Sequence, residues 1–299
     1  MEPLFLIGCD PEFMITDKED NLRSALDIFR GRKKSPTKVK NGATLADNVN
    51  FEFNTTPAKN VIEFKEYIKD VLREASRQLP DDHKFEAISG AEFPKSELKN
   101  PEACEFGCEP DYNAWLNGDA NQVPEGAASR SFRSAGGHIH VGMTEASKHV
   151  LDEFLDKIRF IKVMDATHGI TSLLMDKTQG TDVRRQLYGK AGCFRDKFYG
   201  VEYRTIGNFW ASNPKIVDIV YGLTEVAMKL RLEDKDKDLV AAIGQDNIIN
   251  TINNSDVDSA RKIFSEHLRA ILPEELTKSI ISVAKNASYN VHRNWKLNS

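Results

Sequence analysis

The sequence predicts an α+β fold in a single domain spanning residues 1–299, and three observations predict it. Short apolar runs bounded by turn residues dominate the first two thirds, as strands do. One strongly amphipathic helical segment sits among them, between Asn60 and Leu79. From about residue 214 the pattern turns helical and stays so, and strands followed by a run of helices are the mark of an α+β chain.

Taken in order, Leu4 to Cys9 is apolar, Asp10-Pro11-Glu12 interrupts it and Phe13-Met14-Ile15 resumes it. This reads as a buried strand with acids in its middle, a conflict that marks a candidate site. Residues 29–48 are polar and rich in Lys, Gly, Pro and Asn, so they read as a surface or active-site loop. In Val49-Asn50-Phe51-Glu52-Phe53, alternation puts Val49, Phe51 and Phe53 on one face and Glu52 on the other. Asn60 is a helix cap with Glu63 as its capping-box partner, and Val61, Phe64, Ile68, Val71, Leu72, Ala75 and Leu79 recur at helical spacing. Residues 84–89 read as a strand. The stretch 94–137 is too long for a plain connector, and its part 94–133 is the candidate specificity loop. Strand signals return at 138–141 and 200–205, with a helix near 145–164 between them. Ile216, Ile219, Val220, Leu223, Val226, Ala227 and Leu230 then form one stripe, followed by helices near 239–252 and 256–285 that read as packing elements and a candidate surface for homo-oligomerisation.

Of the 299 residues, 40% are hydrophobic and 29% charged, enough for a sizeable core, and the formal net charge is -4. That balance gives no general electrostatic case for a nucleic-acid or membrane partner, although Arg30-Gly31-Arg32-Lys33-Lys34 is locally basic. No apolar run approaches the roughly 18 residues of a membrane span, and the acidic start lacks the pattern of a signal peptide, so action in the cytoplasm is expected. Cys9, Cys104, Cys108 and Cys193 are expected as free thiols. Only Cys104 and Cys108 are close, and they lack the further ligands a zinc site needs.

Three constellations carry chemistry. Asp10-x-Glu12 puts two carboxylates on one strand face, where they repel unless a cation sits between them; solvent-facing acids are the competing reading. In Gly136-Gly137-His138-Ile139-His140-Val141-Gly142 the histidines share a face, which suits a metal, a phosphate or a structural hydrogen-bonding pair. Tyr188-Gly189-Lys190-Ala191-Gly192-Cys193-Phe194-Arg195 leads into Val201-Glu202-Tyr203-Arg204, where Glu202 and Arg204 share a face. A carboxylate there can hold a metal that bridges phosphates while guanidinium groups neutralise a phosphoryl group, or the two are an ordinary cross-face pair. The chain has neither a Gly-x-x-x-x-Gly-Lys-Ser/Thr loop nor a dinucleotide fingerprint, so any nucleotide must be held by a sheet-borne metal cluster.

Together, Gly8-Cys9-Asp10-Pro11-Glu12-Phe13, Asp47-Asn48-x-x-x-Glu52-Phe53-Asn54, Gly107-Cys108-x-x-Asp111-x-Asn113-Ala114, Gly137-His138-Ile139-His140-Val141-Gly142 and the 188–204 segment resemble a phage-type carboxylate-amine ligase family, the type 2 amidoligases. That family is a distant relative of glutamate-cysteine ligase and glutamine synthetase. The resemblance covers about residues 4–230 and implies a glutamine-synthetase-like antiparallel sheet with flanking helices and the active site on its concave face. It implies ATP and Mg²⁺ or Mn²⁺ as cofactors, with Asp10, Glu12, Glu52, His140 and Glu202 as metal ligands and His138 orienting a ligand. Arg195 and Arg204 would contact phosphates or the substrate carboxylate, with charge added by Lys190, Lys33 and Lys34; Glu202, Arg195 and Arg204 form the catalytic set. The reaction implied joins a small-molecule or peptide carboxylate to an amine through an acylphosphate, releasing ADP and phosphate, in the cytoplasm of a phage-infected bacterium. Two other readings remain open on residues alone: a zinc hydrolase using His138 and His140, and an inactive interaction protein on the same fold.

Overall fold

The computed structural model describes residues 2–104, 111–121 and 131–297. Cys108, and with it the Cys104/Cys108 pair, lies outside the described residues, as do parts of the 94–133 loop.

The strands are β1 (Leu6–Thr16), β2 (Leu22–Arg23), β3 (Thr37–Val39), β4 (Gly42–Asp47), β5 (Asn50–Thr55), β6 (Lys84–Glu86), β7 (Gly90–Glu92), β8 (Tyr112–Asn113), β9 (Asp119–Ala120), β10 (Phe132–Ser134), β11 (Gly137–Gly142), β12 (Cys193–Lys197) and β13 (Gly200–Tyr203). Eleven of them build one antiparallel sheet in the order β3-β4-β5-β1-β11-β13-β12-β8-β9, with β2 and β6 also pairing with β1; β7 and β10 form a separate ribbon. The helices are α1 (Val61–Ser76), α2 (Lys148–Leu151), α3 (Phe154–Met164), α4 (Ile170–Met175), α5 (Thr181–Leu187), α6 (Pro214–Leu232), α7 (Asp236–Ile243), α8 (Gln245–Asn253), α9 (Val257–Glu266), α10 (Glu274–Asn286) and α11 (Val291–Trp295). Strands first and helices last is the α+β arrangement the sequence predicts.

The long strand β1 organises the sheet. Leu6 to Pro11 pairs with β11, Glu12 and Phe13 with β5, and Met14 to Thr16 with β6. As the sequence predicts, one strand runs through Asp10-Pro11-Glu12: Pro11 keeps its place opposite Gly137, and the next amide, that of Glu12, donates to the Gly136 carbonyl at 2.9 Å. Ile7, Cys9, Phe13 and Ile15 of β1 are buried on one face together with Phe51 and Phe53 of β5. Phe29, Phe51 and Phe85 stack there with ring centroids 4.5 Å apart for Phe29–Phe51 and for Phe51–Phe85. Aromatic rings at such spacing add to the burial of their large surfaces.

Helix α1 starts where Asn60 accepts from the Glu63 amide at 2.9 Å; the Glu63 carboxylate reaches back to the amide of Lys59, one residue earlier than a capping box predicts. Phe64, Ile68, Val71, Leu72 and Ala75 are its buried stripe. Helix α6 begins with Asn213 as cap and Pro214 in its first turn, and buries Ile216, Ile219, Val220, Leu223, Val226 and Ala227. Phe64 stacks on Trp210 at 6.0 Å, next to the start of α6.

Three sequence expectations need correction. The stretch read as a loop over 29–48 contains β3 and β4. Strand β4 is Gly-Ala-Thr-Leu-Ala-Asp, with Ala43, Thr44, Leu45 and Ala46 all buried, so small residues covered on both faces leave no alternation to read. The strand expected over 84–89 ends at Glu86, and a second one, β7, opens at Gly90 in the separate ribbon. The helix expected over 145–164 is two, α2 and α3, divided at Asp152-Glu153.

Between α3 and α4 the chain makes a π-helical turn, Asp165–Gly169, and His168 on it is buried. Its ring nitrogens lie 3.0 Å from Thr167 Oγ1 and 3.0 Å from Thr224 Oγ1 on α6. Burial pushes its imidazole down to about 3. Between that value and the ordinary histidine value near 6.5, the unfolded chain binds a proton that the folded chain refuses, so stability falls as pH falls. From pH 7.5 to 5 this group should cost up to roughly 1.4 kcal/mol per pH unit once pH drops below 6.5. Urea unfolding of wild type and His168→Gln at both pH values checks this; an identical pH slope in the two would mean that His168 is not held neutral.

Candidate active site

Alternation along β1 sends Leu6, Gly8, Asp10 and Glu12 to the face opposite the aromatic core. Register then gathers the other charged residues. Asp10 stands opposite His138, Glu12 opposite Glu52, His140 opposite Glu202, and Glu202 opposite Arg195. Arg204, just past β13, falls on the same face as Glu202, as the sequence predicts.

Two groups on this face have metal-ligand geometry. Asp10, His140 and Glu202 form one, and Glu12, Asp47 and Glu52 the other; within each, one ligand atom per residue lies within 4.8 Å of the rest. Asp10 Oδ1 and His140 Nε2 are buried 3.0 Å apart, a charge contact in which neither atom has the geometry of a hydrogen bond. Buried polar atoms are ordinarily satisfied, so an oxygen and a nitrogen left in this state fit a cation bound between them. The donor set, mostly carboxylate with one imidazole, suits a hard divalent ion of the Mg²⁺ or Mn²⁺ kind.

The protonation pattern has the same cause. Burial would raise Asp10, but the His140 and His138 imidazoles outweigh it and hold the carboxyl well below its usual range. Burial and the charge of Asp47 push Glu12 up to about 7, against the pull of Asn50 and Arg204. Glu52 goes well above the usual range through burial and the charges of Asp10, Asp47 and Glu12. Burial opposes ionisation of Glu202 as well, yet Arg204 and the two imidazoles bring it down to about 2. In both Glu12 and Glu52 the crowding of acids favours the protonated form, and a bound divalent cation would favour the ionised one.

The cationic side of the site lies beyond Glu202. Arg204 Nη1 donates to Glu202 Oε1, Arg195 Nη1 lies 3.4 Å from the same oxygen, and Lys197 Nζ lies 2.8 Å from Glu202 Oε2. Asp111 Oδ1 bridges the two guanidinium groups, 3.2 Å from Arg195 Nε and 2.9 Å from Arg204 Nε.

His138 and His140 play unlike parts. His140 Nδ1 is hydrogen-bonded to the Tyr199 hydroxyl, leaving Nε2 for Asp10. His138 Nδ1 lies 3.1 Å from Arg204 Nη1 and 3.2 Å from Asp10 Oδ1, and its ring packs so tightly on Gly136 that a Cβ there would come within 2.2 Å of Nε2. Burial and the charge of Arg204 push the His138 imidazole down to about 4. The Arg204 guanidinium beside His138 Nδ1 weighs against a zinc ion held by both histidines.

Of the lysines named from sequence, Lys33 and Lys34 are both exposed, and Lys33 lies beside the second acidic group, 2.7 Å from Asp47 Oδ2. Lys190 sits in the turn before β12, where its carbonyl accepts from Thr205 Oγ1 at 3.1 Å. Sequence reasoning gave no role to Asp47, Asp111, Lys197 or Tyr199. The first two stand inside motif segments, and Lys197 follows Arg195 by two residues on one strand, so each had a readable signal. Tyr199, at the β12–β13 hairpin, had none.

The stretch 120–272, a little over half of the chain, matches the family model described as phage phiEco32-like COOH.NH2 ligase-type 2. His138, His140, Arg195, Glu202 and Arg204 lie within the match; Asp10, Glu12 and Glu52 precede it. No curated protein matches. Among solved structures, the chain is similar to a bifunctional glutathione synthetase from Pasteurella multocida, with 10% identity and a TM-score of 0.52 over 98% of this chain and 49% of that one. At that identity the likeness speaks of fold alone, and this chain spans about half of that protein's length.

Removing the charge from Asp111 takes away the carboxylate that contacts both Arg195 and Arg204 on the side away from Glu202. Breaking a buried ion pair from one side costs about 3 kcal/mol or more. Asp111→Asn should lose about that much stability in urea unfolding, and a loss indistinguishable from zero would mean that solvent already screens the cluster.

Proposed function

The chain belongs to the phage phiEco32-like COOH.NH2 ligase-type 2 family, and from that premise we propose that it joins a carboxylate to an amine at the expense of ATP, with Mg²⁺ or Mn²⁺ as cofactor. We read it as one ligase domain of glutamine-synthetase-like architecture, with the reaction on the charged face of its sheet. The observation that carries this reading is the pairing, on one face, of converging ligand atoms at Asp10, His140 and Glu202 with the Arg195–Arg204 guanidinium pair beyond Glu202. Phosphoryl transfer needs those two things, a place for cations and fixed positive charge for the transferring group.

A divalent cation held by Asp10, His140 and Glu202, or by Glu12, Asp47 and Glu52, would supply charge neutralisation for the phosphates. Arg195 and Arg204 hold the phosphoryl oxygens while the substrate carboxylate becomes an acylphosphate, and Lys197 adds charge from the neighbouring strand position. Asp111 and Glu202 fix the two guanidinium planes, so little reorganisation is needed during transfer. His138, kept neutral, holds Arg204 in place. The amine then displaces phosphate, forming the amide and leaving ADP and phosphate. The substrates are small-molecule or peptide carboxylates and amines.

Ligands that bind only the native state raise its stability by mass action, about 2.7 kcal/mol at a hundred times Kd. Melting with Mg-ATP, Mg²⁺ alone and ATP alone should give a large shift only for Mg-ATP, and the shift should vanish in Glu202→Gln. ADP release should fall about a thousandfold or more in Arg195→Ala. Stabilisation by zinc with no nucleotide effect would sink the ligase reading in favour of a hydrolase.

A further inference from the structure

Helices α9 and α10 both pack against α4, and the three leave between them a cavity of about 480 Å³ that shares no residue with the charged sheet face. That volume falls in the range of small-molecule sites. Leu173 and Leu174 of α4, Phe264 of α9 and Ile280 of α10 give it an apolar floor. Val257 and Ile281 line it too and remain 41% and 37% exposed, so apolar surface continues from the floor to the rim. Helical spacing explains the arrangement. Val257, Arg261 and Ser265 stand four apart on α9, as Ile280 and Ala284 do on α10, so each helix turns one face to the cavity.

The rim is basic. Lys177, Arg261, Arg269 and Lys285 line the cavity, and Asp176 is the one acid among the described lining residues. Asp176 is already engaged: its Oδ1 accepts from the Thr178 amide at 3.0 Å and from Thr178 Oγ1 at 2.6 Å, its Oδ2 accepts from Thr181 Oγ1 at 2.7 Å, and the buried Arg185 lies 3.7 Å from Oδ2. Lys177 Nζ donates to the Ala284 carbonyl at 2.7 Å, a partner without charge. Arg261 is paired with Asp258, whose side chain is 91% exposed, and a pair so open to water holds its arginine weakly. Arg269 and Lys285 have neither a hydrogen bond nor an ion pair among the described residues. An apolar floor is thus edged by cations that no carboxylate of the lining balances.

We propose that this cavity binds an amphipathic carboxylate, with an apolar chain laid on Leu173, Phe264 and Ile280 and an anionic head among Arg261, Arg269 and Lys285. Charge complementarity selects that class. An ammonium head would be repelled by the rim, and a polyphosphate would leave the floor uncovered. A carboxylate satisfies both, since its chain covers the floor and its two oxygens match the fork of a guanidinium. The site stands apart from the ligase chemistry, so its failure leaves that reading untouched.

The test is isothermal titration of the full chain with decanoate, kept below its micellar concentration, beside decylamine. Wild type should bind one decanoate saturably and no decylamine. Arg269→Ala/Lys285→Ala should weaken decanoate about tenfold or more, the scale of one lost charge-assisted hydrogen bond, with the melting temperature unchanged because both side chains are exposed and unpaired. Ala284→Trp, which fills the cavity from α10, should abolish decanoate binding and keeps the test open if the double variant fails to fold. Absence of decanoate binding by wild type, equal binding of decylamine, or decanoate affinity unaltered in both variants overturns the proposal. So does sedimentation of wild type as a dimer that the double variant breaks, since the cavity would then be an interface between copies of this chain.

Discussion

The rest of the structure depends on how like charges are gathered on one face of β1. Asp10, Glu12, Glu52 and Asp47 crowd a region whose compensating charges, among the described residues, are few: the His140 imidazole near Asp10, and Lys33 near Asp47. Charge withdrawn from water is costly unless it is paired, and like charges so placed cannot all ionise. The protein meets this in two ways. Glu12 and Glu52 rise toward neutrality, while Asp10 and Glu202 stay ionised against their cationic neighbours. The result is a gradient across the sheet from acids on β4, β5 and β1 to guanidinium and ammonium groups on β12 and just past β13, with His138 and His140 at the boundary. A bare cluster of this kind is destabilising for the fold, which is why it reads as a binding site.

Such a face needs a rigid backing, and the opposite side of the same strands supplies it. Phe13, Phe29, Phe51, Phe53 and Phe85 make a continuous aromatic layer beneath the acids. Two backbone carbonyls and one carboxylate near the site are tied down by side chains from other segments. Asn208 Nδ2 donates to the Glu12 carbonyl at 2.7 Å, Trp210 Nε1 to the Gly137 carbonyl at 2.9 Å, and Asn50 Nδ2 to the Glu12 carboxylate at 2.9 Å. These bonds fix strand positions from which the functional side chains project, so their rotamers start from a defined backbone.

Much of this was legible because strand alternation is a strong constraint. Once Asp10 and Glu12 stand two apart among apolar residues, they must share a face, and His138/His140 and Glu202/Arg204 obey the same arithmetic. Order across the sheet was not legible, since nothing local says that β5 and β11 both flank β1. Asp111 shows the limit well: its place between Arg195 and Arg204 comes from the pairing of β8 with β12, a contact between residues about 80 apart in sequence. Strand β4 was lost for a different reason. Its alanines and threonine carry too little contrast in hydrophobicity to give any period, and Asp47 at its end went unassigned with it.

The π-helical turn shows how the helical half reaches the site. Asp165 on that turn is fully buried, and four donors converge on its carboxylate: Trp115 Nε1 at 2.6 Å, the Gly192 amide at 2.5 Å, the Tyr203 hydroxyl at 2.8 Å and Thr205 Oγ1 at 3.0 Å. Burial pushes the acid up to about 6 against the pull of those donors. Tyr203 and Thr205 bracket Arg204, and Gly192 directly precedes β12, which carries Arg195 and Lys197. One carboxylate thus ties both cationic strands to the layer of helices behind them. A regular α-helix would carry residue 165 in the i→i+4 ladder without the extra backbone residue that a π turn inserts, and such insertions re-aim the side chains they carry. Asp165, at the start of this turn, thus ties the residues beside Arg204 and the entry to β12 to the helical layer without occupying the face on which the two arginines lie.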